Sequence, residues 1–231
     1  MEYTKRELMP GFWAIDQDGV RSYLLTGPEN AILIDTCFGG DILSVCRTLT
    51  ANPITLLTTH SDPDHIGCDH QFENQYLHPA EFERYTSRSK NALKANEMWE
   101  GDIFTVGEYS LEVILIPGHT PGSVAFLDRA HKFLISGDTV QNGSIYMFGE
   151  GRNLSAFLAS VKKLETMRAE GLFETVYAAH GDTGISADIL PDHIRLAEAL
   201  LNGESLLCTP SPEWIPDTVK TYSYGQIKMF Y

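Results

Sequence analysis

The chain has 231 residues, 43% of them apolar, and a formal net charge of −14 at pH 7. Its length and composition suit a folded protein with a large core and argue against disorder. The charge opposes non-specific binding to nucleic acid or to an anionic membrane surface, but it leaves room for a small anionic substrate where a metal reverses the local potential.

The first half reads as short apolar runs bounded by turns. Residues 21–26 (RSYLLT) and 31–35 (AILID), separated by GPEN, predict a hairpin. Gly39 and Gly40 break the chain, and Asp41 is placed to cap a helix with Ile42, Val45, Cys46 and Leu49 on its apolar face. Pro53 ends that helix and 54–58 (ITLLT) follows as a buried strand. Strand, helix, strand is the pattern of a parallel crossover unit. A short helix is expected near Ile66, extending to His70, and a longer one over 79–98, opening on Pro79. Strands are expected at 103–106, 111–116, 123–127 and 133–136. A helix over 154–168, with Leu154, Phe157, Leu158, Val161 and Leu164 in helical period, leads to a strand at 175–179. The last helix fits 189–201, and the alternating 221–231 predicts a terminal strand-like extension. With no repeat or linker in view, one domain is expected over 1–231, in which the strand–helix–strand pattern occurs twice.

Cys37, Cys46, Cys68 and Cys208 form neither a CxxC pair nor a zinc knuckle, and MEYTKRELMPGFWAI holds no long apolar run. No stretch reaches membrane-spanning length. Free thiols in a cytoplasmic protein are therefore expected. The sequence leaves a homo-oligomer open.

The densest chemistry is His60-Ser-Asp62-Pro-Asp64-His65, directly after a buried strand. Imidazole and carboxylate are ligands for zinc, iron or manganese. If this loop is extended, His60, Asp62 and Asp64 project to one side and His65 enters a helix from another angle. Three later segments repeat the architecture: His119 in PGHTPG, Asp138 in SGDT and His180 in AAHGDT each follow an apolar strand beside glycine. Such strand ends are common places for active sites. Four of them point to one shared site.

The order HSDPDH, GHTPGS, SGDT, AAHGDT resembles the metallo-β-lactamase superfamily of metal-dependent hydrolases, across about residues 20–200. The resemblance implies an α/β fold, a four-layer αβ/βα sandwich, with two divalent metal ions. It implies that His60, Asp62 and His119 surround the first ion, that Asp64, His65 and His180 surround the second, and that Asp138 bridges them. Asp62 stands where the family pattern HxHxDH has its second histidine. A carboxylate there makes the first position harder, which widens the choice from zinc to iron or manganese. It also resembles the flavodiiron branch, where a glutamate takes this place. The other reading is that Asp62 falls short of the metal.

The function implied is hydrolysis of a small ester, thioester or lactone by a metal-bridging hydroxide, with Asp64 orienting the nucleophile. β-Lactam hydrolysis is less favoured. Two alternatives remain: a di-iron redox protein acting on a small oxidant, and a metal-binding protein of this fold without turnover. Asn142, Tyr146, Phe148 and Arg152 in the loop after Asp138 are candidate substrate contacts, against a reading as packed loop. Asp182 and Thr139 are candidate supports for the ligands. Arg84, Arg88, Lys90 and Lys94 read as a solvated helix face balanced by Glu81, Glu83 and Glu97, ahead of a lid for anionic substrate. His70, His78, His131 and His193 read as surface or hydrogen-bonded histidines, and Cys68 as a small buried thiol.

Overall fold

A computed structural model describes residues 2–89 and 95–231, which cluster into two units, Met1–Ile114 and Leu115–Tyr231. Lys90 and Lys94 lie outside the described residues.

The first unit begins as an antiparallel meander: β1 (Thr4–Met9), β2 (Phe12–Gln17), β3 (Val20–Thr26) and β4 (Ala31–Ile34). The hairpin expected around GPEN is the β3–β4 pair. Helix α1 (Ile42–Arg47) then crosses over to β5 (Ile54–Leu57), which lies parallel to β4. Asp41 caps α1 as its position predicts, accepting a hydrogen bond from the Ser44 amide. Helix α2 (Pro63–Ile66), β6 (Gln75–Leu77), α3 (Phe82–Arg88) and β7 (Asn96–Glu97) follow, and the seven strands form one sheet in chain order. Strands β8 (Ile103–Val106) and β9 (Tyr109–Leu115) make a hairpin. The core under the sheet is built from Ile15, Leu24, Leu33, Ile42, Cys46, Leu56 and Phe72.

Two expectations need correction here. The helix expected near Ile66 and extending to His70 instead runs from Pro63 to Ile66, because proline's fixed φ suits a first helical position, and His70 falls in a separate 3-10 turn at Asp69–Gln71. Asp64 and His65 are therefore helical residues, and the turn is closed by the His65 amide on the Asp62 carbonyl at 2.9 Å. The helix expected over 79–98 is shorter. A single 3-10 turn at Pro79–Glu81 leads into α3, and Asn96–Glu97 pairs with Tyr76 and Leu77 in the sheet. Backbone hydrogen bonding to the sheet outweighs the helix propensity of that segment.

In the second unit β10 (Val124–Asp128) and β11 (Phe133–Gly137) are antiparallel. A short strand β12 (Ser144–Tyr146) interrupts the loop expected after Asp138. Helix α4 (Leu154–Ala169) crosses over to β13 (Thr175–Ala178), parallel to β11. The second strand–helix–strand unit is thus present as expected. Strand β14 (Thr183–Ser186) and helix α5 (Leu190–Leu201) follow, and α4 packs on α5. Strands β15 (Leu207–Pro210), β16 (Lys220–Tyr224) and β17 (Ile227–Phe230) join β12 in a separate sheet, ordered β12-β17-β16-β15. The terminal extension is a hairpin rather than one strand, because Gly225 turns the chain at φ 56°.

Gly118 shows how tightly the turn before His119 is fitted. Its φ is +140°, and an added Cβ would sit 2.3 Å from the backbone of Phe157 in α4. Gly101 (φ +87°) faces open space instead. We predict that Gly118→Ala lowers stability by at least about 3 kcal/mol and Gly101→Ala by about 1 kcal/mol, read from denaturant midpoints. Equal losses would show that the close approach to α4 contributes nothing.

Candidate metal centre

Each unit carries its own group of ligand-type side chains. In the first unit the β4–β5 strand ends organise it. Asp35, just after β4, has a left-handed backbone (φ 60°) and is buried. Its Oδ1 accepts the Thr59 amide at 2.8 Å, and its Oδ2 accepts the Thr59 hydroxyl at 2.7 Å and the Nδ1–H of His65 at 2.8 Å. With its proton committed to Asp35, the Thr59 hydroxyl accepts from Nδ1–H of His60 at 3.0 Å. Both imidazoles are thereby fixed in one tautomer, Nε2 being the basic nitrogen. Nε2 of His60 lies 3.5 Å from Asp62 Oδ2, and Nε2 of His65 lies 3.8 Å from Asp64 Oδ2.

In the second unit the Nδ1–H of His119 donates to the Tyr146 carbonyl at 3.1 Å, which turns its Nε2 toward Asp138 Oδ2 at 3.4 Å. The other carboxylate oxygen of Asp138 lies 3.5 Å from His180 Nε2. Asp138 thus offers one oxygen to each of two histidines.

These separations test the donor set. Two ligand atoms about 2.0–2.1 Å from a shared tetrahedral ion stand roughly 3.3 Å apart. The spacings of 3.4 and 3.5 Å match that figure, and 3.8 Å is near it. All exceed the usual 2.7–3.2 Å of an N–H···O hydrogen bond. Buried and part-buried histidine and carboxylate donors at that spacing fit divalent zinc, iron or manganese.

Asp62 has a second set of contacts. Its Oδ1 accepts from Arg84 Nη2 at 3.0 Å and from Arg88 Nη1. The two arginines are one helical turn apart on α3, on the same face. Arg84 also faces Glu81, whose buried carboxylate accepts the Ser61 amide and hydroxyl. The solvated-face reading therefore fails for Arg84 and Arg88. Their side chains are only 11% and 29% exposed, because a buried carboxylate draws them inward.

The remaining candidates fall into place by their contacts. Asn142 exchanges two hydrogen bonds with Asp182, at 2.8 and 2.9 Å. Arg152 donates to the His119 carbonyl. Tyr146 stacks on Trp214 with ring centroids 5.9 Å apart, next to Phe148 and Phe230. His193 is fully buried between the Ile189 carbonyl and the Gln141 amide, and burial pushes it down to about 4, so it is neutral. His131 pairs with Asp128, and the His78 ring accepts the Ala80 amide. Cys68 is buried as expected.

Sequence reasoning missed Asp35, Thr59 and Trp214, and saw Glu81 as a partner of the arginines but not its hold on Ser61. Asp35 had a usable signal: like the ligands, it is an acid directly after an apolar strand. Trp214 and the hold of Glu81 on Ser61 had none, since they depend on distant contacts.

The chain belongs to the metallo-β-lactamase superfamily, whose family model matches residues 15–180. It is 27% identical over 196 residues to the acyl-coenzyme A thioesterase MBLAC2 of Gallus gallus, covering 68% of this chain and 71% of that protein. It is 28% identical over 138 residues to a hydroxyacylglutathione hydrolase of Bdellovibrio bacteriovorus, covering 58% of this chain and 52% of that one. A metallo-β-lactamase from Pontibacter korlensis shares the fold, with TM-score 0.72 at 18% identity over 85% of this chain and 99% of that one. Among the described residues no helix is long and apolar enough to cross a membrane.

The Asp35 frame makes a direct prediction. Asp35→Asn removes a charged acceptor from His65 and should weaken metal binding by roughly 10–100-fold, measured by competition with a chelator. Unchanged affinity would mean that the imidazoles are oriented without it.

Proposed function

We propose that the two units act as one metallo-β-lactamase-like domain over residues 1–231, a metal-dependent hydrolase of small thioester-type substrates, with ester and lactone as the neighbouring classes. As a member of this superfamily with relatives named as thioesterase and hydrolase, the chain is a hydrolase. In this reading, as the superfamily pattern implies, the donors serve in two sets, His60 with His119 and Asp138, and Asp64 and His65 with His180. Asp62 completes the first set and Asp138 spans both. The observation that carries this reading is the carboxylate of Asp138, with one oxygen toward His119 and the other toward His180.

Two divalent ions held there, zinc first and iron or manganese as alternatives, would supply a water of lowered pKa and a Lewis acid for the substrate carbonyl. The chain's own residues do the rest. Asp64 orients the attacking water through a carboxylate oxygen. His60, His65 and His119 keep their ligand nitrogens fixed through the bonds at Nδ1. Tyr146, Phe148 and the exposed Trp214 offer an aromatic wall for the acyl or leaving group. Arg152 and Asn142 hold the backbone near His119 and Asp182, so their part is positioning. Four free cysteines suit a reducing compartment such as the cytoplasm. The relatives' names favour hydrolysis over di-iron redox chemistry.

Acyl-coenzyme A and hydroxyacylglutathione thioesters are the substrates to assay. Asp138→Ala should cut kcat/KM by at least about 1,000-fold, on the scale of losing a principal source of electrostatic stabilisation. Trp214→Ala should raise KM by roughly 10-fold with kcat little changed, the pattern of lost ground-state binding. Absence of thioester, ester and lactone hydrolysis in the metal-loaded protein would overturn the proposal.

A further inference from the structure

The arginines of α3 do something that the ligand set alone does not require. Asp62 is buried, and its two oxygens have different surroundings. Oδ1 carries the guanidinium groups of Arg84 and Arg88, while Oδ2 stands 3.5 Å from His60 Nε2. That distance equals the His180–Asp138 separation. An aspartate in this position is a flexible, strongly charged substitute for a rigid neutral imidazole. Unrestrained, it could rotate about its side-chain torsions, chelate through both oxygens or turn to water.

We infer that Arg84 and Arg88 are positioning residues that pin Oδ1 of Asp62, so that the carboxylate presents Oδ2 alone beside His60 as a one-oxygen metal ligand. The inference rests on the two-metal reading given above. Charge-assisted hydrogen bonds are short and directional, and two on one oxygen fix the carboxylate plane. They also spread part of its charge onto the guanidiniums, so the first metal position is less anionic than its residue types imply. The Glu81 carboxylate, held by Ser61, faces Arg84 from the other side. The arginines touch neither substrate nor metal; they act through Asp62.

The dependence on aspartate supplies the test. Zinc affinity of the full chain is measured by chelator competition, with bound zinc per chain counted after the challenge. Arg88→Gln is the main variant, because Arg88 is the more exposed of the two; Arg84→Gln is the second. Each should weaken the less tightly held zinc by roughly 10–100-fold, as loss of a ligand's outer partner does, and Arg88→Lys should restore part of it. In an Asp62→His background, Arg88→Gln should change affinity by less than about threefold, since an imidazole needs no guanidinium. Thermal melting of the metal-free variants separates a lost clamp from a lost fold. Arg88→Gln and Arg84→Gln holding zinc as tightly as the parent would overturn the inference, as would an equal loss in the Asp62→His background. A parent chain that takes up no zinc, iron or manganese would instead sink the two-metal reading itself.

Discussion

Asp138 is the constraint on which the candidate centre depends. Its oxygens face His119 at 3.4 Å and His180 at 3.5 Å, from different strand ends of the second unit. A carboxylate used in this way commits three backbone segments to one point. The parallel pairing of β11 with β13 brings the turns after both strands to the same end of the sheet. Gly118 lets the His119 turn approach α4. The proposed metal ions would offset the desolvation of this buried carboxylate.

The first unit solves a related problem by fixing orientation. Asp35, held in a strained backbone, gathers Thr59 and His65 and through Thr59 also His60. One carboxylate thus sets the tautomer of two imidazoles. Arg84 and Arg88 restrain Asp62 in a comparable way from α3. Ligands of this kind lose little freedom on binding an ion, because their supports have already ordered them.

The strand ends that carry the candidate ligands were readable because each follows an apolar strand, and at His119, Asp138 and His180 a glycine stands beside the polar residue. Both crossover units were legible for the same reason, and Asp41 as a cap followed from its place before Ile42. What escaped was governed by partners distant in the chain. Asn96–Glu97 looks helical in isolation but is recruited to the sheet by Tyr76 and Leu77. Arg84 and Arg88 look solvated until Asp62 is placed beside them. The substrate candidates were half legible: Tyr146 and Phe148 join an aromatic group, but Trp214 and Phe230 come from a part of the chain that carries no motif. Arg152, an apparent pocket residue, is bound to the His119 carbonyl.

The central claim is a centre for two metal ions spanned by Asp138. Elemental analysis of the full chain, purified without added metal and paired with an accurate protein concentration, addresses it most directly. The account predicts two equivalents of zinc, iron or manganese per chain, and loss of metal in Asp138→Ala while the fold persists. A single equivalent in the parent chain, or two equivalents retained without the Asp138 carboxylate, would contradict it.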